Sequence, residues 1–177
     1  MKKTNITRFA KTALQVSNLS KRPIVYYSKD GIHTVACAYF VISTKSEELY
    51  NAILNKIPEN KRVPDSLTHN GIQTMLSQTE GLHELTNTGI VSEEQHAYRR
   101  FLMADDFVVT VNDDFLYAFD GDRTGLYGAG SNSPVIVFGY DYTAAILPLR
   151  HRSNEAALAT MHRLIGRSGW QPDREEA

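Results

Sequence analysis

The stretch Val111–His151, VNDDFLYAFDGDRTGLYGAGSNSPVIVFGYDYTAAILPLRH, decides how the rest of the chain is read. Val111-Asn112 opens a short amphipathic segment whose apolar residues are Phe115, Leu116 and Phe119. Three short strands are predicted after it, over Leu126–Gly128, Pro134–Gly139 and Tyr142–Pro148. Apolar and β-branched residues run there between breaks rich in glycine and aspartate. The last strand stops at Pro148-Leu149-Arg150.

Working outward, Thr4–Leu19 has the spacing of an amphipathic helix. Ile6, Phe9, Ala10, Ala13 and Leu14 form its apolar face, with Arg8, Lys11, Gln15 and Asn18 opposite. Pro23–Tyr27 and Ile32–Ser43 read as a hairpin, because Asp30-Gly31 readily supplies a positive φ at the turn. Thr44–Ile57 reads as a helix with Thr44 and Glu47 as a capping box and Pro58 as its stop. Glu59–Arg62 is a polar turn and Pro64–Gln78 a short helix. Strands are predicted over Leu82–Val91, His96–Ala104 and Phe107–Val111, with Asp105-Asp106 as a turn. Beyond His151, Ser153 caps a helix from Asn154 to Ile165 that Gly166 ends, and Pro172–Ala177 reads as frayed. No internal repeat of fixed period is visible.

The residues Val111, Asn112, Phe115, Leu116, Ala118, Ser133, Pro134, Val135, Pro148, Leu149 and Arg150 give this part of the chain a likeness. It resembles the end of a domain of the bacterial sliding clamp, the DNA polymerase III beta subunit. There a "VN…YL…AL" helix leads through an "SPV" strand into a terminal strand ending "P-hydrophobe-R". The helix and hairpin of the first 43 residues look like the start of such a domain. The resemblance implies an α+β fold: one antiparallel sheet with the Thr4–Leu19 and Asn112–Phe119 helices packed on one face. It places the clamp-like domain over 1–151, with a helical insertion at about 44–80, and leaves 152–177 as a C-terminal helical tail. A clamp ring needs six such domains, so one domain per chain would encircle a duplex only as a homo-oligomer. The resemblance also puts a peptide-binding rim for a replication or host protein at Pro148, Leu149 and Arg150. A small stand-alone chain of this kind looks like a product of a phage or mobile element.

Charge is distributed unevenly. The first 22 residues hold Lys2, Lys3, Arg8, Lys11, Lys21 and Arg22 and no acid, while the whole chain has a net charge of -1. In the clamp reading this basic helix meets the phosphates of double-stranded DNA, attracting the backbone without reading bases. The second helix opposes that, since Asp113, Asp114, Asp120 and Asp122 surround it with only Arg123 near its end. Such a face repels phosphate by the Coulomb term that attracts it to Arg8.

Composition sets the remaining limits. With 42% hydrophobic and 22% charged residues the chain is an ordinary globular one. A single cysteine, Cys37, lies in an apolar run and reads as a buried, inert thiol. No apolar run reaches the ~20 residues of a membrane span, and no signal-peptide core is present, so a cytoplasmic protein is expected. No enzyme signature is found. The histidines 33, 69, 83, 96, 151 and 162 are scattered, without HExxH or a cysteine at zinc spacing. Asp120-Gly-Asp122 begins like a calcium loop but would place Ser131 where a glutamate is required. No catalytic residue, metal or cofactor is assigned. The function expected is a non-enzymatic, clamp-like binding protein of DNA replication or recombination. The alternative is a regulatory or inhibitory protein that acts through protein contacts alone.

Overall fold

The structure is a computed structural model that describes the chain except residues 66–68, 78–79, 95–96, 152 and 169–177. It is α+β. In chain order the elements are α1 (Lys3–Ser20), β1 (Ile24–Lys29), β2 (Ile32–Ala36), β3 (Phe40–Thr44), α2 (Glu47–Leu54), a 3-10 turn (Glu59–Lys61), β4 (Arg62–Pro64) and α3 (His69–Ser77). There follow β5 (His83–Glu84), β6 (Thr86–Glu94), β7 (Ala97–Met103), β8 (Val108–Asn112), α4 (Asp113–Tyr117), β9 (Arg123–Gly128), β10 (Val135–Gly139), β11 (Tyr142–Ile146) and α5 (Asn154–Ser168). One sheet runs β4-β1-β2-β3-β11-β10-β9-β5 and a second runs β6-β7-β8. Among the described residues pairing is antiparallel, apart from β4 beside β1.

The centre of the large sheet is built by alternation. In β10, Val135 and Val137 face the main core while Ile136 and Phe138 face the opposite side. In β3, Phe40 and Ile42 face the core and Val41 the other side. Helices α1, α2 and α4 cover the core face, as does the inner face of β7 and β8 through Leu102, Val109 and Val111. Phe9 of α1 is fully buried at the middle, edge-on to Phe40 of β3 at 5.0 Å and to Phe119 just after α4 at 6.1 Å. The expected one-sided cover holds for α1 and α4, but α3 packs Ile72, Met75 and Leu76 on the far face of the sheet. Helix α5 covers the outer face of the small sheet with Ala157, Leu158, Met161 and Leu164.

An order of helix and three strands occurs twice, as α1-β1-β2-β3 and as α4-β9-β10-β11. The two units meet where β3 pairs with β11, from Phe40↔Ile146 to Thr44↔Tyr142, and α1 lies beside α4 on the same face. A repeat is therefore present in topology although none is visible in the sequence.

Several boundaries differ from expectation for local reasons. The apolar run Ile32–Ser43 folds back on itself, with Cys37 N–H donating to Phe40 O at 3.0 Å, so one predicted strand is two. Helix α2 is capped by Ser46, whose hydroxyl accepts from Leu49 N–H, and not by Thr44. Thr44 ends β3 and donates to Asp141 O. The predicted strand Leu82–Val91 changes sheets at the buried Leu85, β5 joining the large sheet and β6 the small one. The polar turn expected over Glu59–Arg62 is found as the 3-10 turn, but Arg62–Pro64 forms β4, paired with β1, and the helix expected over Pro64–Gln78 is the shorter α3, His69–Ser77. Ser153 does cap α5, accepting from Ala156 N–H, but Gly166 does not stop it. A mid-helix glycine costs about 1 kcal/mol without forcing an end. Pro172–Ala177 and the first residue of the predicted His96–Ala104 strand lie outside the described residues.

Candidate nucleic-acid interface

Helix α1 exists because its buried stripe, Ile6, Phe9, Ala10, Ala13, Val16 and Ser17, recurs at helical spacing over about three turns. Its exposed stripe is Lys3, Thr7, Lys11, Gln15 and Asn18, residues three or four apart that line one side of a helix. The six cations expected to meet DNA do not form one surface. They fall into an engaged end, a sparse middle and an open end.

At the N-terminal end Lys2 is held by the α4–β9 turn. Lys2 N–H donates to the Asp122 carboxylate, Lys2 Nζ to Gly121 O at 2.6 Å, and Asn5 Nδ2 to Asp120 O at 2.9 Å. The Met1 amine sits 2.8 Å from Asp141. One turn on, the Arg8 guanidinium lies over the Tyr117 ring at 3.9 Å, a cation–π placement. The acids that argued against DNA are also locally engaged. Asp113 accepts from Arg100 Nε at 2.7 Å, and Asp120 pairs with Arg123. Asp114 stays exposed in the first turn of α4, where the positive helix end favours it. Lys3, at the start of α1, and Lys11, in its middle, remain solvent-facing.

The C-terminal end is built differently. Lys21 takes φ 59 and ψ 22, the left-handed conformation that ends α1. That conformation costs a non-glycine residue on the order of 1 kcal/mol, and glycine is usual there. The buried Ser17 hydroxyl donates to Arg22 O at 2.7 Å and sets the bend before Pro23. Lys61, at the end of the 3-10 turn, donates to Asn18 Oδ1 at 2.7 Å. Together Ser17, Asn18, Lys21, Arg22, Asn60 and Lys61 line a cleft of about 320 Å³. The contribution of Lys61 and Asn60 was missed from sequence because only the β4–β1 pairing, Ile24↔Arg62, carries them to α1.

Pro148, Leu149 and Arg150 form a connector between the two sheets. Leu147 N–H donates to Tyr39 O at 2.8 Å, in the large sheet, and Leu149 N–H to Thr110 O at 2.7 Å, in the small one. Pro148 and Leu149 are half-buried and Arg150 is exposed. Beside them Tyr39 stacks on Phe115, and Tyr39 and Leu147 are 48% and 42% exposed, so an apolar surface continues from the connector onto the β2–β3 turn.

His33, His83 and His151 have separate surroundings, and His162 is exposed on α5. His33 stacks on Tyr50, His83 meets Phe107 edge-on, and His151 Nε2 is 2.6 Å from Thr110 Oγ1. Burial pushes the Cys37 thiol up to about 11, against smaller opposing effects of nearby backbone groups. Among the described residues no helix is long and apolar enough to cross a membrane. No family model, curated protein or solved structure matches the chain.

Proposed function

We propose that this chain is a non-enzymatic, clamp-like binding protein of DNA replication or recombination, acting in the cytoplasm and encoded by a phage or mobile element. The observation that carries the reading is a pair of placements. The SPV strand and the strand ending ILPLR are neighbours, Val135 opposite Ile146. The basic helix α1 lies beside α4 over the same sheet. Both are what the resemblance to a sliding-clamp domain implies. In this reading α1 meets double-stranded DNA through phosphates, and a homo-oligomer, six chains in a closed ring, surrounds it. Light scattering of the purified chain together with a gel shift on duplex DNA tests it. A hexamer that shifts duplex at low salt supports the reading. A monomer that shifts nothing removes it.

A second reading has its own support. The exposed Tyr39 and Leu147 beside Pro148 and Leu149 fit a regulatory or inhibitory protein that works by protein contact alone, since exposed aromatic and aliphatic residues of this kind anchor interfaces. Cross-linking in a host lysate with Tyr39→Ala and Leu147→Ser as controls separates the two. Loss of the captured protein in both variants, with no DNA binding by the wild type, favours the second.

A further inference from the structure

We propose that the cleft at the C-terminal end of α1 is a phosphate-binding site, and that nucleic-acid backbone is held there and not along the length of the helix. The identity of the ligand rests on the DNA-binding reading above. The place rests on the cleft itself.

Three observations converge. The cations come from two segments far apart in sequence, Lys21 and Arg22 from the end of α1 and Lys61 from the 3-10 turn, yet they line one concave surface. No carboxylate is among the described residues that line it, although the chain has 20 acids to 19 lysines and arginines. The nearest acid in sequence, Glu59, lies 3.7 Å from Arg62. Finally, the site is oriented. Lys61 is half-buried and held by Asn18, and Ser17 fixes the carbonyl of Arg22. Lys21 accepts a left-handed backbone that a glycine would take without strain. The negative end of the helix accounts for one cation at this position. It does not account for Arg22 and Lys61 beside it. Ammonium, guanidinium and amide donors around a small cleft match the oxygens of a phosphodiester. The engaged end of α1 offers no such surface, since the carboxylates of Asp122 and Asp141 stand beside Lys2 and the Met1 amine there.

The number of cations sets the expected salt dependence. Three phosphate contacts give a slope of log affinity against log salt of roughly -2.7 on duplex DNA, a weakening of about 40-fold between about 50 and 200 mM salt. Fluorescence anisotropy of the full chain with a short labelled duplex of mixed sequence measures it. Lys61→Ala, a surface change outside α1, should lower the slope by about 0.9, and Lys21→Ala and Arg22→Ala by similar amounts. Lys3→Ala and Lys11→Ala should leave it unchanged. Circular dichroism confirms that each variant is folded. A second arm uses inorganic pyrophosphate as the probe. Binding of pyrophosphate that Lys61→Ala abolishes, without duplex binding, keeps the phosphate site and removes DNA as its ligand. A Lys61→Ala chain with the wild-type slope, alongside a Lys3→Ala or Lys11→Ala chain that loses it, overturns the location and keeps the DNA reading. Failure of the wild type to bind either probe at low salt removes both.

Discussion

The two helix-and-three-strand units share an order and little else, and the contrast separates what the fold needs from what it leaves over. The first has an 18-residue helix carrying cations and no acid. The second has the five-residue α4, with Asp113 and Asp114 in its first turn. A helix of five residues does not persist alone in water, so α4 is held by packing. It and the two residues near its end still bury Phe115, Leu116, Ala118 and Phe119 against the shared core. Ring anchors are therefore the requirement, and length is not. The extra turns of α1 reach past the sheet junction to the 3-10 turn, where its last cations meet Lys61. Its first turn is tied to the second unit at Gly121 and Asp122. Charge that looks uniform along the sequence is thus fastener at one end and open surface at the other.

The sharpest way to break the comparison is at the junction. Phe9 is buried between Phe40 of its own unit and Phe119 of the other. Phe9→Ala should cost about 3–5 kcal/mol, through lost burial and the cavity left behind. Urea unfolding followed by circular dichroism should show one transition moved to lower denaturant. Two transitions, or a loss below about 1 kcal/mol, would mean that the units do not share a core.

The tight turns give the next effect. In the first unit Ala38 and Tyr39 occupy the β2–β3 turn, whereas in the second Gly139 ends β10. A methyl group on Gly139 would overlap the Tyr142 ring. Gly139→Ala should therefore cost about 1–3 kcal/mol, as overpacking does, read as a lowered thermal midpoint. Gly31→Ala, where φ is +74 and the surroundings are open, should cost about 1 kcal/mol through backbone strain alone. Equal and negligible losses would show that the Tyr142 ring is free to move aside.

Why some of this was legible in sequence and some not follows from where each signal resides. The period of Ile6, Phe9, Ala10 and Ala13 is local, as is the Asp30-Gly31 turn, whose residues take φ 53 and 74. Both were readable. The β2–β3 turn was not, because Cys37-Ala38-Tyr39 contains no glycine, proline, asparagine or aspartate and only the pairing of β2 with β3 reveals it. The paired units escaped notice because helices of 18 and five residues share topology and no spacing. At the candidate site, the basic character of α1 was plain. The division of its cations was not, since it depends on Gly121, Asp122 and Lys61, all distant in sequence.

Alkaline pH offers a finer comparison, because each unit has one acidic group raised by burial. In the first, the Cys37 thiol stands at about 11, against an ordinary value of about 8.5. In the second, the Tyr142 hydroxyl is raised by burial first and by Asp122 and Asp141 next. The sign is the same for both. The unfolded chain loses each proton before the folded one does, so it binds fewer protons and stability falls as pH rises. The fall should start near pH ~9 from Cys37 and later, above pH ~10, from Tyr142. Cys37→Ala should delay the onset and recover about 2–3 kcal/mol near pH 11. Tyr142→Phe should be nearly neutral at pH 7, since that hydroxyl has no hydrogen-bond partner among the described residues. Unchanged onset in Cys37→Ala would assign the alkaline loss to the second unit.

The smallest effect isolates the fastener from the open end. Lys2 Nζ reaches Gly121 O on an exposed surface, where a charged hydrogen bond contributes about 0.5 kcal/mol. The backbone N–H of Lys2, which meets Asp122, survives any side-chain change. Lys2→Met keeps the length of the side chain and removes only the Nζ contact, so a thermal shift of about 1–2 °C is expected. Affinity for duplex DNA should not change, because the ammonium that is lost already faces protein. Added salt should narrow the stability difference between variant and wild type, since an exposed charge interaction is screened. If Lys2→Met instead weakens DNA binding as much as Lys61→Ala, the two ends of α1 do the same work, and the contrast between the units reduces to helix length.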